Sequence, residues 1–261
     1  MTDLRNILWI EFRKIYRSKL LLYCGIALTL VPLMSSLMIF IFQNPDLARK
    51  MGIISAKANL MGGTADWSTF LGVISMGLAM AGMFLFSLIE SWIFGREFTE
   101  ATLKDMLAVP VPRLAIVLGK FIVTMTICFL FTLEVVIFSV TAGFILKMPP
   151  VPLSLILNGL WIIILTGIMV IMANMPFAFL ASVGKGYLLP LGITMLLLLL
   201  ANIIAVLGWG DIFPWTIPTL LSGLGDQNTK VTAVSYVVLL ITAGAGIFAT
   251  YTWWVKADHQ Q

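Results

Sequence analysis

Charged residues are scarce in this sequence of 261 residues: Asp, Glu, Lys and Arg make up 11% of it, whereas 60% of the residues are hydrophobic. The mean hydropathy is +1.04. Soluble globular domains carry about 25% charged residues, so the composition excludes that class. Uncharged apolar runs near or above the roughly 20 residues that cross a bilayer recur along the chain. The sequence therefore predicts an all-helical integral membrane protein, because it lacks the alternating pattern of barrel strands.

Residues that usually carry catalysis or bind metals are scarce as well. The one histidine is His259, and the two cysteines, Cys24 and Cys128, have no second ligand at metal spacing. A phosphate-binding loop needs G-x-x-x-x-G-K-[ST], but neither Lys120 nor Lys185, each preceded by glycine, has the rest of that motif. These absences argue against an enzyme, against a bound metal or cofactor, and against ATP hydrolysis by this chain.

The apolar runs organise the chain as a single transmembrane domain with six predicted spans. The third and fourth runs, of about 30 residues, exceed the length of a straight crossing and predict tilt or a break. Residues 174–176 read Asn-Met-Pro and predict a kink in the fourth span. The six predicted spans are residues 20–42, 70–94, 114–146, 153–182, 187–207 and 231–255.

Basic residues favour one side of the predicted membrane. Positive charges accumulate on the cytoplasmic side of membrane proteins, so the larger set marks that side. Both termini are predicted to be cytoplasmic. The asymmetry explains the net charge of +4 and leaves no reason to predict nucleic-acid binding. With the N-terminus inside, the inner set is Arg5, Arg13, Lys14, Arg17, Lys19, Arg96, Lys104, Arg113, Lys120, Lys185 and Lys256, and the outer set is Arg49, Lys50, Lys57, Lys147 and Lys230.

Two segments outside the spans have amphipathic or apolar character. Residues 1–19 predict an interfacial helix, or a basic flank that only fixes the topology. Within residues 208–228, the apolar run 212–221 is too short to span, and Pro214 and Pro218 interrupt it, so the segment predicts an outer re-entrant or interfacial hairpin. The apolar side of the first segment consists of Leu4, Ile7, Leu8, Phe12 and Ile15.

A compact polar block at residues 95–113 interrupts the apolar sequence. Thr99 is placed to cap a helix N-terminus, Glu100 would lie in the first turn, and Pro110 would end the run. The block predicts a short amphipathic helix, which either binds a soluble partner or is a solvated connector on the lipid headgroups. Its apolar side consists of Leu103, Met106 and Leu107.

Ionisable side chains inside predicted spans are costly and need a partner or a wet cavity. Glu90 lies five residues before the polar block and Lys120 seven residues after it, at similar depth. They are predicted to pair; the alternative is that each extends separately to the inner interface. Glu134 lies deeper, as a protonated packing residue, a partner for Asn158 or Asn202, or part of a translocation route.

Three sequence segments together resemble a known family. Residues 11–19 read Glu-Phe-Arg-Lys-Ile-Tyr-Arg-Ser-Lys, residues 94–113 contain the polar block, and residues 119–121 read Gly-Lys-Phe. The chain resembles the permease subunits of type-2 ABC exporters, closest to the small six-helix permeases of bacitracin-resistance and lantibiotic-immunity systems.

The resemblance implies one permease domain over residues 1–261, in a bacterial cell membrane. Residues 95–113 would be the coupling helix that docks on a separate ATPase subunit, which binds ATP and Mg. Two permease subunits and two ATPase copies would form the transporter, in contact with membrane lipids, and would export an amphipathic peptide, antibiotic or lipid. The implied coupling residues are Arg96, Glu97, Thr99, Glu100, Thr102, Leu103, Met106, Leu107 and Arg113.

Two other functions remain open from the residues alone. An ion-coupled secondary transporter would need clustered ionisable residues near the midplane and repeat symmetry, which Glu134 alone does not supply. A non-transporting assembly or sensor subunit would use residues 95–113 only as a docking segment.

Overall fold

A computed structural model describes residues 2–44, 66–100, 111–223 and 231–256. All regular secondary structure in these ranges is helical. The helices are α1 (Thr2–Arg17), α2 (Leu20–Gln43), α3 (Trp67–Thr99), α4 (Arg113–Ile145), α5 (Leu153–Asn174), α6 (Pro176–Val183), α7 (Leu188–Val206), α8 (Ile217–Leu220) and α9 (Ala233–Lys256).

Six helical segments are long and apolar enough to cross a membrane: α2, α3, α4, α5 together with α6, α7 and α9. The predicted all-helical fold with six spans is confirmed, and the chain is a multi-pass membrane protein. The largest difference in a boundary is at α3, which has 33 residues and continues through Thr99, five residues beyond the predicted end of its span.

Helix α3 is central to the bundle and contacts α2, α4, α5, α6 and α7. Buried hydroxyl pairs join it to two of these neighbours: Ser75 lies 2.8 Å from Thr166 of α5, and Thr194 of α7 donates to Ser87 at 3.0 Å. Helices in lipid gain little from hydrophobic burial against one another, so close packing and such hydrogen bonds hold them together.

The bundle has two ends, and successive spans run between them in alternating directions. One end, called here the α1 end, holds α1 together with the end of α3, the start of α4 and the end of α9, since Glu97 contacts Lys14 and Arg113 contacts the carbonyl of Val255. The opposite end holds the starts of α3, α5 and α9.

The predicted kink in the fourth span is confirmed. Helix α5 ends at Asn174 and α6 begins at Pro176, whose ring nitrogen has no hydrogen to donate to the preceding turn. The Asn174 side chain is buried, and its Nδ2 donates to the carbonyl of Val170 at 2.8 Å. Helix α9 approaches this break closely at Gly246, where an added Cβ would lie 2.5 Å from the Pro176 nitrogen.

Helix α1 packs mainly against α4. The predicted apolar side holds for Ile15, which is buried, and for Ile7, whose Cγ2 would lie 2.6 Å from a Cβ added at Gly119. Phe12 departs from the prediction because it is exposed, while Glu11 is buried in the stripe instead. The interfacial position of α1 stays a prediction.

The predicted hairpin at residues 208–228 is described as far as residue 223. This part forms turns around the short α8, which contacts α3 and α5. Thr216 is buried and donates its hydroxyl to the carbonyl of Ala201 at 3.3 Å. The segment thus folds back on the bundle, and its re-entrant placement in a membrane stays a prediction.

Replacing Gly246 with Ala should lower the midpoint of thermal unfolding of the detergent-solubilised protein. The new Cβ would overlap the backbone of Met175 and Pro176, and overpacking of this kind costs about 1–3 kcal/mol. Gly244→Ala is the matched control, because no atom lies within 4 Å of its added Cβ. Equal midpoints for the two variants would contradict this packing of α9 on the kink.

Candidate functional site

The α1 end contains a buried ammonium group, that of Lys120 on α4. Its Nζ donates to Glu97 Oε1 at 2.7 Å, to Glu11 Oε2 at 3.2 Å and to the carbonyl of Ile93 at 2.9 Å. The Lys120 side chain is 0% exposed. An ammonium has three hydrogens to donate, so these bonds satisfy all of them. Lys120 therefore connects α4 to both α1 and α3.

Lys14 of α1 completes the cluster. Its Nζ lies 3.1 Å from Glu11 Oε1 and 3.2 Å from Glu97 Oε1, so Glu97 receives both ammonium groups on one oxygen. Burial favours the neutral amine, but the two carboxylates outweigh it and raise the pKa of Lys14 above its usual value. We call Glu11, Lys14, Glu97 and Lys120 the ion network; its two carboxylates balance its two ammonium groups.

The predicted pair between Glu90 and Lys120 is wrong. Lys120 pairs with Glu97 and Glu11, and neither Glu90 oxygen has a hydrogen-bond partner among the described residues, although Glu90 is 0% exposed. The prediction failed because α3 continues as a helix past residue 94. Glu97, about two turns further along, then lies on the α3 surface that faces α4 and reaches Lys120.

The predicted N-cap at Thr99 is also wrong. Thr99 is the last residue of α3, and its hydroxyl donates backwards to the carbonyls of Gly95 and Arg96 at 3.3 and 3.0 Å. Gly95 does not break the helix. Its lack of a side chain lets α3 approach the backbone of Gly186, where an added Cβ would lie 2.9 Å from a carbonyl carbon.

Both sides of the polar block are attached to the bundle. On the α4 side, the Arg113 Nη1 donates to the carbonyls of Trp254 and Val255 at 3.2 and 3.0 Å. These carbonyls lie in the last turn of α9, where backbone acceptors are otherwise unpaired. On the α3 side, Glu97 lies in the ion network. Movement of the block is thereby linked to α1, α3, α4 and α9.

The predicted coupling residues fall into three groups. Glu97 is 2% exposed and faces the interior, so in this conformation it is not available to a partner protein. Thr99, Glu100 and Arg113 are exposed, and Arg96 pairs with Glu100 at 2.9 Å. The remaining four lie outside the described residues: Thr102, Leu103, Met106 and Leu107.

Glu134 is half-buried on α4, apart from the ion network. A Cβ added at Gly25 of α2 would lie 3.6 Å from both of its oxygens, so its carboxyl group lies beside α2. Asn202 donates to the carbonyl of Leu198 in its own helix. The predicted pairing of Glu134 with Asn158 or Asn202 is not formed within this chain, and its role in a translocation route stays a prediction.

Sequence reasoning missed Glu11 as a partner of Lys120, and it missed Lys14 as the second cation of the ion network. One signal was present: Glu11 is spaced i+3 from Leu8 and i−4 from Ile15, on the apolar stripe of α1. A carboxylate on such a stripe is buried with the apolar side chains and needs a cation there. Among the residues that the structure describes, no group of three or more His, Cys, Asp or Glu could hold a metal ion.

Comparisons with known proteins identify the family of this chain. The family model for ABC-2 family transporter proteins matches residues 7–202, well over half of the chain. The chain belongs to the ABC-2 transporter family. It is similar to the bacitracin transport permease protein BCRB of Bacillus licheniformis, with 21% identity over 179 residues that cover 69% of this chain and 86% of the relative.

Membership of this family gives the chain a class of function. It is a permease subunit of an ABC transporter, and the energy of such a transporter comes from an ATPase partner. The family match includes α1 from residue 7 onwards, the ion network and both sides of the polar block. The ion network therefore lies in the part of the chain that the family shares.

Glu97→Gln should lower the midpoint of thermal unfolding by roughly 5–10 °C. Losing one partner of a buried ion pair costs about 3–5 kcal/mol, and Glu11 remains to offset part of this. Glu90→Gln is the matched control on the same helix, because no described cation loses a partner when Glu90 is neutralised. Differential scanning fluorimetry in one detergent measures both. A larger loss for Glu90→Gln would show that the ion pairs do not hold this end of the bundle together.

Proposed function

We propose that this chain forms half of a dimeric, ATP-driven exporter of amphipathic molecules, with a separate ABC ATPase subunit docking on residues 95–113. Two permease copies, identical or different, and two ATPase copies would make the transporter. The proposal has three parts, which are the docking segment, the orientation in the membrane and the class of substrate.

The observation that supports docking is the attachment of both sides of the polar block to the bundle. Glu97 binds the ammonium groups of Lys14 and Lys120, and Arg113 binds the end of α9. A displacement of residues 95–113 by an ATPase would therefore shift α1, α3, α4 and α9 together. A solvated connector would need no such attachment, so the geometry favours docking over the connector interpretation.

Basic residues support the orientation. The α1 end carries Lys14, Arg96, Arg113 and Lys120 in contacts with the bundle, together with the exposed Arg13 on α1. Excess positive charge marks the cytoplasmic side. On this proposal both termini lie in the cytoplasm, where ATP is available, and the membrane would be the bacterial cell membrane.

Exposed apolar faces leave room for a second subunit. Among the six candidate spans, α2 and α7 are the least buried. In the most apolar stretch of each helix, 22% of the α2 residues and 17% of the α7 residues are buried. Leu30 and Leu37 of α2 and Leu199 and Ile203 of α7 are exposed. Such faces suit lipid or another permease subunit, as half of a dimeric pathway requires.

The named relative supports the proposed substrate class. The relative is a bacitracin transport permease, and a peptide antibiotic combines apolar and polar parts. An ion-coupled secondary transporter would need ionisable groups clustered near the midplane. The ion network lies at the α1 end instead, where it can act in coupling rather than in ion translocation.

Changing both Leu103 and Met106 to Asp should abolish transport while membrane insertion and intrinsic ATPase activity of the partner persist, because carboxylates disfavour an apolar contact. The measurement is ATP-dependent uptake of bacitracin into inverted vesicles that contain permease and ATPase. Tyr16→Asp is the control, since Tyr16 is 82% exposed at the same end but outside the block. It should transport normally.

Three outcomes distinguish the functions. Uptake that needs ATP and resists a protonophore supports the exporter, whereas uptake that a protonophore abolishes without ATP supports a secondary transporter. Co-purification with an ATPase but no nucleotide-dependent uptake supports a sensor or assembly subunit. Full transport by the double Asp variant would overturn docking on this segment.

A further inference from the structure

A cleft of about 670 Å³ opens at the end of the bundle opposite α1. Its walls are the first turns of α3, the first turns of α5 and residues 222–223 after α8. Pockets that bind small molecules measure about 300–1,000 Å³, so the cleft has the size of a ligand site. It lies far from the ion network, which holds the other end of α3.

The cleft narrows where α3 and α5 touch. A Cβ added at Gly159 would lie 2.4 Å from the Leu71 Cδ1, so the two helices are in close contact there. Towards their starts they enclose the space lined by Ser68, Ser154 and Ser222. Leu71 and Ile162 also line the cleft, further along α3 and α5 than the serines, and we call these two side chains the apolar floor. The cleft thus has an apolar floor and a rim of uncharged polar side chains.

Asn158 is the most unusual residue in the cleft. It is an exposed amide on α5, about 8 Å along the helix axis from Leu153, and so within the length of a candidate span. Neither Asn158 nor Ser154 makes a hydrogen bond to any residue that the structure describes. An unpaired amide in an apolar medium costs about 1–3 kcal/mol or more. Lipid tails offer no hydrogen bond, so a ligand or water must satisfy Asn158.

The polar side chains of the cleft indicate what kind of ligand it can bind. Every described residue that lines the cleft is uncharged, so these residues offer a lipid phosphate no cationic side chain. The Asn158 amide donates through Nδ2 and accepts through Oδ1, which matches the N–H and C=O of a peptide group. The apolar floor at Leu71 and Ile162 suits a hydrophobic side chain next to that group.

We infer that this cleft binds the uncharged, amide-bearing part of an amphipathic peptide, with Asn158 pairing with a peptide group. The inference rests on the proposed export function and adds a location for substrate within each single permease subunit. It places that location between α3, α5 and the segment after α8.

A protection experiment with bacitracin tests the site directly. Ser154→Cys introduces an exposed thiol in the cleft of the full chain in nanodiscs, whereas Cys24 and Cys128 are buried and provide the wild-type background. The rate of labelling by a polar maleimide is measured with and without bacitracin. At about ten times the half-maximal concentration, labelling should slow about tenfold, because only unoccupied clefts react. A thiol at the exposed Val234, which does not line the cleft, should react at an unchanged rate.

Asn158→Leu, added to Ser154→Cys, should remove the protection. Asn202→Leu is the matched control: it is also an exposed Asn in a span, but its amide already binds its own helix. Protection that survives Asn158→Leu would overturn the inference, as would protection by phosphatidylglycerol in place of bacitracin.

The failure of the site and the failure of the export function are distinguishable in the same preparation. No protection by bacitracin, together with ATP-dependent uptake in vesicles with the partner ATPase, would overturn the cleft and leave the exporter intact. No protection and no uptake would overturn both. Protection without uptake would support the cleft while contradicting export.

Discussion

A buried ammonium group is the constraint on which the α1 end depends. Lys120 sits on an apolar helix where a charge cannot be left uncompensated, and three elements converge to satisfy it: Glu11 from α1, and Glu97 and the carbonyl of Ile93 from α3. Because its partners come from different helices, the pairing fixes their relative position rather than the shape of one helix. The amphipathic N-terminal helix is thereby part of the bundle and not merely a membrane anchor. The remainder of the bundle is held by packing of small residues and by hydroxyl pairs such as Ser75 with Thr166.

Much of the fold follows from local signals in the sequence. Long apolar runs mark spans because a bilayer requires a fixed length, and Pro176 marks a kink because it lacks a hydrogen-bond donor. Both kinds of signal act within one segment, so six spans and one kink were predictable. The end of α3 was not, because the predicted span stops where the polar block begins at Gly95, whereas in the structure Gly95 continues the helix and allows close approach to Gly186. The role of Gly95 depends on contact with Gly186, which lies 91 residues further along the chain.

The candidate site was predictable in kind and not in detail. The sequence indicated that Lys120 needs a carboxylate partner near the polar block, since a lone charge in a span is costly. Choosing Glu97 over Glu90 requires knowing how far α3 continues and which of its faces meets α4. Finding Glu11 requires knowing that α1 packs on α4. The face that α3 turns towards α4 and the packing of α1 on α4 are features of tertiary structure. The periodicity of a single helix does not predict them. The cleft at Asn158 is likewise invisible in the sequence, because its walls come from three separate segments.

Helix α3 joins the two sites described here. It has 33 residues and no proline, and about 44 Å along its axis separates Ser68 at the rim of the cleft from Glu97 in the ion network. A continuous helix is stiff along its axis, so a shift of one end reaches the other without any relay of side-chain rearrangements. The contact between Leu71 and Gly159 lies close to the cleft, so it can act as a pivot with a short arm on the cleft side and a long arm towards Glu97. With arms this unequal, any displacement of α3 at the ion network would appear as a much smaller change in the width of the cleft.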